Sequence, residues 1–246
     1  PVDYFRTLDG KLPAGVRIGV VRNAIQKDGI APDMLQAFDQ SVQLLKKLGA
    51  SIRDISLPTI DYGAAIYFIV SRAEAASNLA RFDGVRYGVR DASAKTLAQL
   101  YQKSRMEGFG EEVKARIMIG NYVLSAGHAA DFYLNARKAR QYMTAELEHA
   151  FREVDVLLTP TAPGTAFSFG AFEDDKLQMD LQDYFTCPAS LAGTPAISIP
   201  CGFAQNGLPL GLQIMGPRFS EDMLLKVAHA YEQASGWHNE KPKGFE

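Results

Sequence analysis

The stretch VRIGVV, residues 16–21, decides the fold, because its run of β-branched and apolar residues predicts a strand. A loop follows, and then a helix is predicted over residues 32–48. The apolar residues of that helix share one face: Leu35, Phe38, Val42 and Leu45. Residues 51–57 predict a second strand. Since a strand, a helix and a strand in succession favour parallel pairing, the sequence predicts an α/β fold.

The last third of the chain adds further strands. They are predicted at residues 155–159, at 196–200, where a buried strand is expected, and in a hairpin over 206–214. The hairpin is indicated by Asn206-Gly207 between two apolar runs. Pro160 and Pro163 are expected to prevent regular pairing in the loop after the first of these strands. The chain thus predicts a mixed β-sheet core flanked by helices. No shift in composition divides it, so residues 1–246 are expected to form a single α/β body.

Composition limits the classes of function. The 26 basic and 28 acidic side chains give a net charge of −2, and no basic run suggests direct contact with nucleic acid. No apolar segment approaches the roughly 20 residues that a membrane span needs, and no signal peptide is visible, so a cytoplasmic protein is expected. Cys187 and Cys201 lack the spacing of metal ligands and are expected to be reduced, partly buried thiols.

Familiar catalytic motifs are absent from the sequence. No glycine-rich phosphate loop of the GxGxxG or GxxxxGK[ST] type follows the first strand, and no GxSxG nucleophile motif occurs. The four histidines, which show no metal-binding spacing, are His128, His149, His229 and His238. The sequence therefore predicts no metal site and no cofactor within these residues, and on motifs alone it shows no visible catalytic site.

One helix carries an arginine in its apolar stripe. The stretch SRMEGFGEEVKARIMIGNYVLSAG, residues 104–127, predicts a helix that starts near Glu111 and Glu112. Helical spacing gives the stripe these members: Val113, Arg116, Ile117, Gly120, Val123, Leu124 and Gly127. A guanidinium turned inward needs an anion to offset its desolvation. That anion is either a carboxylate in a structural ion pair or a bound ligand, and the periodicity leaves both open.

A second helix, predicted over residues 62–81, has two different faces. One face is apolar and small: Ala65, Ile69, Ala73, Ala76 and Ala80. The other face is polar: Tyr67, Ser71, Glu74, Asn78 and Arg81. The polar residues either form a solvated surface or line a polar cavity.

Four segments together resemble the amidase signature family. They are residues 104–127, the preceding EAASNLARFDGVRYG at 74–88, DVLLTPTAP at 155–163, and SLAGTPAISIPCGF with GLPLGLQIMG over 190–216. Within this family, the segments most resemble the branch formed by the A subunits of glutamyl-tRNA(Gln)/aspartyl-tRNA(Asn) amidotransferases. It implies the carboxyl-terminal half of the amidase fold. The Ser–Ser–Lys triad of the family lies upstream of this half, and no residue here matches it.

The resemblance implies roles for three residues in substrate binding. Arg116, in a segment like the family's EVKxRI, would hold the α-carboxylate of glutamine. Asp183, at the end of MDLQD, matches the aspartate of an MxxxD segment and would receive the α-ammonium group; Asp180 departs from the usual residue. Tyr67 would line the same pocket. This resemblance favours the ligand interpretation of Arg116 over the structural ion pair.

The family further implies a larger assembly. The parent enzyme would hydrolyse glutamine through an acyl-serine intermediate and pass ammonia to the B subunit of the amidotransferase, with the C subunit bracing the pair. ATP and Mg²⁺ would act in the partner that receives the ammonia, and mischarged tRNA would meet this chain only through the complex. Two alternatives stay open: half of a general carboxamide amidase, and a non-catalytic interaction or scaffold module.

The abrupt start at Pro1 suggests a fragment of a longer chain. Half of a sheet would expose apolar surface, so a non-native dimer, strand exchange or low solubility is expected. The fragment alone is expected to be inactive.

Overall fold

The computed structural model describes residues 3–241, so Pro1 lies outside the described part. Its residues group into two compact units. One unit runs up to Ala64 and resumes at Gln141, and the other comprises Ala65–Arg140. The expectation of a single α/β body over 1–246 stays a prediction.

The first unit contains a five-stranded sheet. Its strands are β1 (Arg17–Val21), β2 (Ser51–Ile55), β3 (Val156–Pro160), β4 (Ala196–Phe203) and β5 (Pro209–Met215). Their order is β2-β1-β3-β5-β4. β1 pairs in parallel with both β2 and β3, whereas β5 pairs antiparallel with β3 and β4. The mixed sheet and the parallel strand–helix–strand unit are both confirmed.

The α-helices that surround these strands in the sequence have the following bounds. They are α1 (Arg22–Ile25), α2 (Pro32–Lys47), α3 (Gly63–Leu79), α4 (Leu97–Gly108), α5 (Glu111–Leu124), α6 (Asn135–Glu153), α7 (Lys176–Leu181), α8 (Cys187–Ala192) and α9 (Glu221–Ser235). Short 3-10 turns lie at Phe5–Thr7, Pro58–Tyr62 and Trp237–Asn239, and a π-helical turn at Ala130–Leu134. The helices α2 and α9 lie against the sheet.

β1 is an interior strand of the sheet and contributes to the core. Ile18, Val20 and Val21 are fully buried, and each contributes roughly 1.5–3 kcal/mol through that burial. Gly19 is required between them, because a Cβ at this position would lie 2.7 Å from side-chain atoms of both Ile55 and Leu157. The glycine lets the neighbouring strands and their side chains close over β1.

Two expectations about strands are wrong. Pro160 does not prevent pairing: it is the last residue of β3 and pairs with Leu212, while the next backbone bond is made by Thr161 N–H to Gly211 O at 2.8 Å. A proline is tolerated there because it ends β3, where the pairing of β3 with β1 has already stopped at Leu158. The strand at Ala196 is not buried throughout either, since β4 is an edge strand whose burial rises only from Ile199 onward.

The hairpin between β4 and β5 is confirmed. Gly207 has a φ of +78°, a backbone conformation that glycine adopts without strain. The turn is closed by Ala204 N–H to Leu208 O at 2.9 Å and by Gly207 N–H to Ala204 O at 2.8 Å. Among the described residues, no helix is long and apolar enough to cross a membrane.

Candidate functional site

Arg116 lies in α5, within the unit Ala65–Arg140. Its side chain is 41% exposed, and its Nε donates to Oε1 of Glu112 at 2.8 Å. The expectation that the guanidinium of Arg116 turns inward is therefore wrong. Arg116 lies at the edge of the stripe, whose buried members are Ile117, Gly120 and Val123, and the helix ends before Gly127. The arginine is held by a carboxylate of its own helix and is accessible to solvent.

The buried arginine of this unit is Arg72 on α3, which is only 5% exposed. Its guanidinium carbon lies 3.5 Å from the centroid of the Phe68 ring, and its Nη1 donates to Phe68 O at 3.3 Å. The aromatic face and the carbonyl both stabilise the cation. Arg72 was not predicted from the sequence, because the helical periodicity assigned a different face of α3 to the core.

Gly120 explains the orientation of α5 against α3. A Cβ on Gly120 would lie 2.0 Å from the carbonyl oxygen of Arg72 and 2.6 Å from Cβ of Ala76. Only glycine permits this close approach of the two helices. The contact turns Ile117 and Val123 inward and leaves Arg116 at the margin.

Tyr67 is half-buried on α3, and the polar face predicted around it is only partly a cavity wall. Glu74 and Asn78 line a cavity of about 230 Å³ together with Ala73, Ser77, Leu124 and Tyr133. The residues that line this cavity do not include Tyr67. The apolar face predicted for this helix is confirmed at Ala73 and Ala76, which are buried, but Ala65 and Ala80 are exposed. Ile66 and Val70 are buried instead.

Asp183 lies in the other unit, in the turn between α7 and α8, and is exposed. Its backbone is tightly held: its N–H donates to Asp180 O at 3.2 Å, and its carbonyl accepts Thr186 N–H at 3.1 Å and Cys187 N–H at 3.0 Å. Burial, together with the nearby carboxylates of Asp183 and Asp180, raises the pKa of the Cys187 thiol to about 12. The turn thus presents negative charge on a fixed backbone.

The two thiols lie where the sequence suggested, and the described residues contain no metal cluster. Cys187 and Cys201 are both free and buried. Within residues 3–241 no three His, Cys, Asp or Glu side chains cluster closely enough to hold a metal ion. Tyr67 and Arg116 belong to one unit and Asp183 to the other, so the three-residue pocket stays a prediction.

Most of this chain is similar in sequence to known proteins. A sequence model of the family described as Amidase matches residues 1–225. The A subunit of glutamyl-tRNA(Gln) amidotransferase from Synechococcus sp. (strain CC9311) is 47% identical over 244 residues, which is 99% of this chain and 50% of the relative. The protein of the same name from Geobacter sp. (strain M21) is 48% identical over 239 residues, or 97% of this chain and 49% of the relative. The chain spans about half the length of these curated relatives.

Solved structures agree on the fold. The crystal structure of the A subunit of glutamyl-tRNA(Gln) amidotransferase from Thermotoga maritima matches with a TM-score of 0.68 and 36% identity, covering 90% of this chain and 43% of that one. The 6-aminohexanoate cyclic dimer hydrolase matches with a TM-score of 0.74 over 98% of this chain and 49% of that one. At 21% identity, the second likeness concerns the fold alone. By the family match and the fold that these structures share, the chain belongs to the amidase family.

Proposed function

We propose that this chain is the substrate-binding half of a glutamine-hydrolysing amidase subunit, which supplies ammonia for transamidation of Glu-tRNA(Gln) or Asp-tRNA(Asn). The observation that carries this proposal is the 47% identity, over 99% of the chain, to the A subunit of a glutamyl-tRNA(Gln) amidotransferase. Such identity along almost the whole chain favours this branch of the amidase family over a general carboxamide amidase.

The proposal assigns the two charged groups of glutamine to Arg116 and Asp183, a pair called the clamp below, and it assigns Tyr67 to the lining of the same pocket. Arg116 would hold the α-carboxylate of glutamine, since a guanidinium can bind a carboxylate through two parallel hydrogen bonds. The 41% exposure of its side chain supports this role, because it gives a ligand access to the guanidinium, although Nε already donates to Glu112 at 2.8 Å. Asp183 would receive the α-ammonium group, and its exposure on a fixed backbone supports that assignment.

The rest of the proposal concerns the assembly. The B and C subunits of the amidotransferase are the proposed partners, ATP and Mg²⁺ would be used in the partner that receives the ammonia, and tRNA would be reached only through the complex. A cytoplasmic location is part of the same proposal. The net charge of −2 supports an indirect role toward tRNA, because a chain that bound the phosphate backbone itself would need a basic surface.

The clamp is tested by Arg116→Ala in the full-length enzyme, in complex with its partner subunits. We expect kcat/KM for glutamine to fall about 10- to 100-fold, as is typical for loss of a charge-assisted hydrogen bond. Hydrolysis of a neutral amide without an α-carboxylate should change far less. Lys114→Ala is the matched control, because Lys114 also pairs with a glutamate of α5, Glu111, at 2.9 Å. Equal losses with both substrates would instead favour a general amidase.

A second experiment addresses the chain alone. We expect no glutamine hydrolysis by the purified 246-residue chain, since no residue in it matches the family's Ser–Ser–Lys triad. Measurable glutaminase activity would contradict this. If the full-length protein also failed to hydrolyse any amide and still bound the B and C subunits, a non-catalytic scaffold role would replace the proposed function.

A further inference from the structure

A buried polar network crosses the sheet beneath the turn that contains Asp183. Gln213 on β5 is 4% exposed and lies directly opposite Thr159 on β3, which is fully buried. The amide Nε2 of Gln213 donates to Thr159 Oγ1 at 2.9 Å and to the backbone carbonyl of Phe185 at 2.8 Å. The sequence neighbours of these two polar residues on the strands are apolar and fully buried: Leu158, Leu212 and Ile214.

This network needs an explanation beyond the stability of the sheet. Burying an amide is unfavourable unless hydrogen bonds replace its lost water contacts. An apolar residue at position 213 would avoid that cost, yet it could not reach the carbonyl of Phe185. What Gln213 specifically provides is a fixed link between the sheet and the turn, two residues after Asp183.

The same turn is fixed a second time from another direction. Tyr184 OH donates to Oδ1 of Asp61 at 2.8 Å, and Lys27 Nζ forms an ion pair with the same oxygen. Burial of Asp61 acts to raise its pKa, but the hydrogen bonds from Lys27 and Tyr184 outweigh it and lower the pKa. Burial and the bond to Asp61 raise the pKa of Tyr184, which keeps the phenol protonated as the donor. The Tyr184 and Phe185 rings also pack edge to face, with centroids 4.9 Å apart.

The two residues after Asp183 are thus each anchored to a different element. Tyr184 is tied through its hydroxyl to the turn at Pro58–Tyr62, and Phe185 is tied through its carbonyl to β5. The carboxylate of Asp183 itself stays exposed. The two anchors therefore restrict the position of the Asp183 carboxylate. They do not use its oxygens as hydrogen-bond partners.

We propose that Tyr184 and Gln213 are positioning residues that hold Asp183 in place for the ammonium group of the substrate. The inference rests on the proposed function, in which Asp183 binds that group. Small displacements of a binding group reduce substrate use strongly, because binding energy depends on geometry. The substrate would therefore bind more weakly when either anchor is lost, although neither anchor contacts it.

The test uses the full-length enzyme with its partner subunits and glutamine as the probe. Tyr184→Phe removes only the hydroxyl, and we expect KM for glutamine to rise about 3- to 10-fold with kcat changed by less than about twofold. Tyr231→Phe is the matched control. It removes the same group from the same unit, where Tyr231 OH bonds to Ser41 Oγ at 2.8 Å. We expect Tyr231→Phe to leave KM unchanged even if it lowers the melting temperature. Gln213→Met, which keeps the volume, should raise KM as Tyr184→Phe does.

Asp183→Asn separates this inference from the proposed function. If Asp183→Asn leaves KM for glutamine unchanged, the clamp is wrong and the positioning role falls with it. If Asp183→Asn raises KM but Tyr184→Phe does not, the clamp stands and the positioning role is overturned. We expect the double variant Asp183→Asn/Tyr184→Phe to have the same KM as Asp183→Asn alone, because the two changes act through one interaction. Additive effects in that double variant would also overturn the inference.

Discussion

The Nε of Arg116 lies 2.8 Å from Oε1 of Glu112, one turn earlier in α5. Glutamate placed four residues before a basic residue is the favourable order for an ion pair on a helix. The pair is partly exposed, with 41% and 57% of the two side chains accessible, so its effect on stability is small. We expect its consequence for the proposed function to be orientation, because Glu112 holds one edge of the guanidinium that would bind glutamine.

Glu112→Gln tests that orientation. We expect KM for glutamine to rise about 2- to 5-fold in the full-length enzyme, because a guanidinium that has lost its charged contact with Glu112 must lose more freedom when it binds. The free energy of unfolding should change by less than about 0.5 kcal/mol. Glu111→Gln is the control, since it removes the partner of Lys114 instead. A KM that responds equally to both variants would contradict a specific role of Glu112.

Gly120→Ala should severely destabilise the unit Ala65–Arg140. Alanine favours a helix over glycine by about 1 kcal/mol, but the added Cβ would lie 2.0 Å from the backbone oxygen of Arg72. The backbone cannot yield as a flexible side chain can, so we expect a net loss of about 2–3 kcal/mol or more in chemical unfolding. Gly127→Ala is the control, because a Cβ there would meet no atom within 4 Å. Similar stabilities of the two variants would refute the close approach of α5 to α3.

Asp155→Asn should make the free energy of unfolding less dependent on pH in the acidic range. Asp155 accepts Arg17 N–H at 2.8 Å and Nη2 at 2.7 Å, joining the starts of β1 and β3. The hydrogen bond from the Arg17 side chain lowers the pKa of Asp155, against the opposing effect of burial. A lowered pKa means that the stabilisation is complete above the unfolded pKa of about 3.9 and is lost as pH falls through the folded pKa.

The measurement for Asp155→Asn is urea unfolding of both proteins at pH 7 and at pH 3. At pH 7 we expect the unmutated protein to have a larger free energy of unfolding than the Asp155→Asn variant. At pH 3 this difference between the two proteins should be smaller. Asp54→Asn serves as a control for an exposed ion pair, because Asp54 binds Arg22 with 67% of its side chain accessible. A stability difference that stays constant with pH would contradict the role of the Asp155 carboxylate.

The two thiols should be unreactive in the folded protein. Burial raises the pKa of Cys201 to about 12, against the opposing effect of Ser41, and burial likewise raises the pKa of Cys187 to about 12. At pH 8 both thiols would then be almost entirely protonated, whereas the thiolate is the reactive form. We expect no reaction with a thiol-specific reagent in native buffer and two equivalents after denaturation in guanidinium. Rapid stoichiometric labelling of the native protein would contradict the burial of both residues.

The isolated chain should self-associate. Strand β4 lies at one end of the sheet, and large apolar side chains such as Phe169 and Phe219 are almost fully exposed. An open edge strand can pair with another copy. We expect a dimer or larger species in sedimentation at micromolar concentration, and less of it for Ile197→Lys, which places a charge on β4. A stable monomer would contradict this prediction.

The sequence by itself determined most of the elements. The strands at 17–21 and 51–55, the helix between them and the hairpin turn at Gly207 follow from local periodicity and turn chemistry, which depend on neighbours in the chain. The family could also be inferred from sequence, because its motifs lie in contiguous segments. Strand ends were less certain: Pro160 belongs to β3 because pairing partners, not propensity, decide where a ladder stops.

The tertiary structure alone decided which side chains face the interior and which distant residues meet. A helical stripe is broad enough to have edges, and the contact of Gly120 with the Arg72 carbonyl decided that Arg116 lies at such an edge. The bond between Tyr184 and Asp61 joins residues 123 positions apart, and no local pattern encodes it. Periodicity describes one element at a time, whereas burial and long-range hydrogen bonds depend on how the elements pack. The hydrogen bonds of Tyr184 to Asp61 and of Gln213 to Phe185 could therefore be identified only from the tertiary structure.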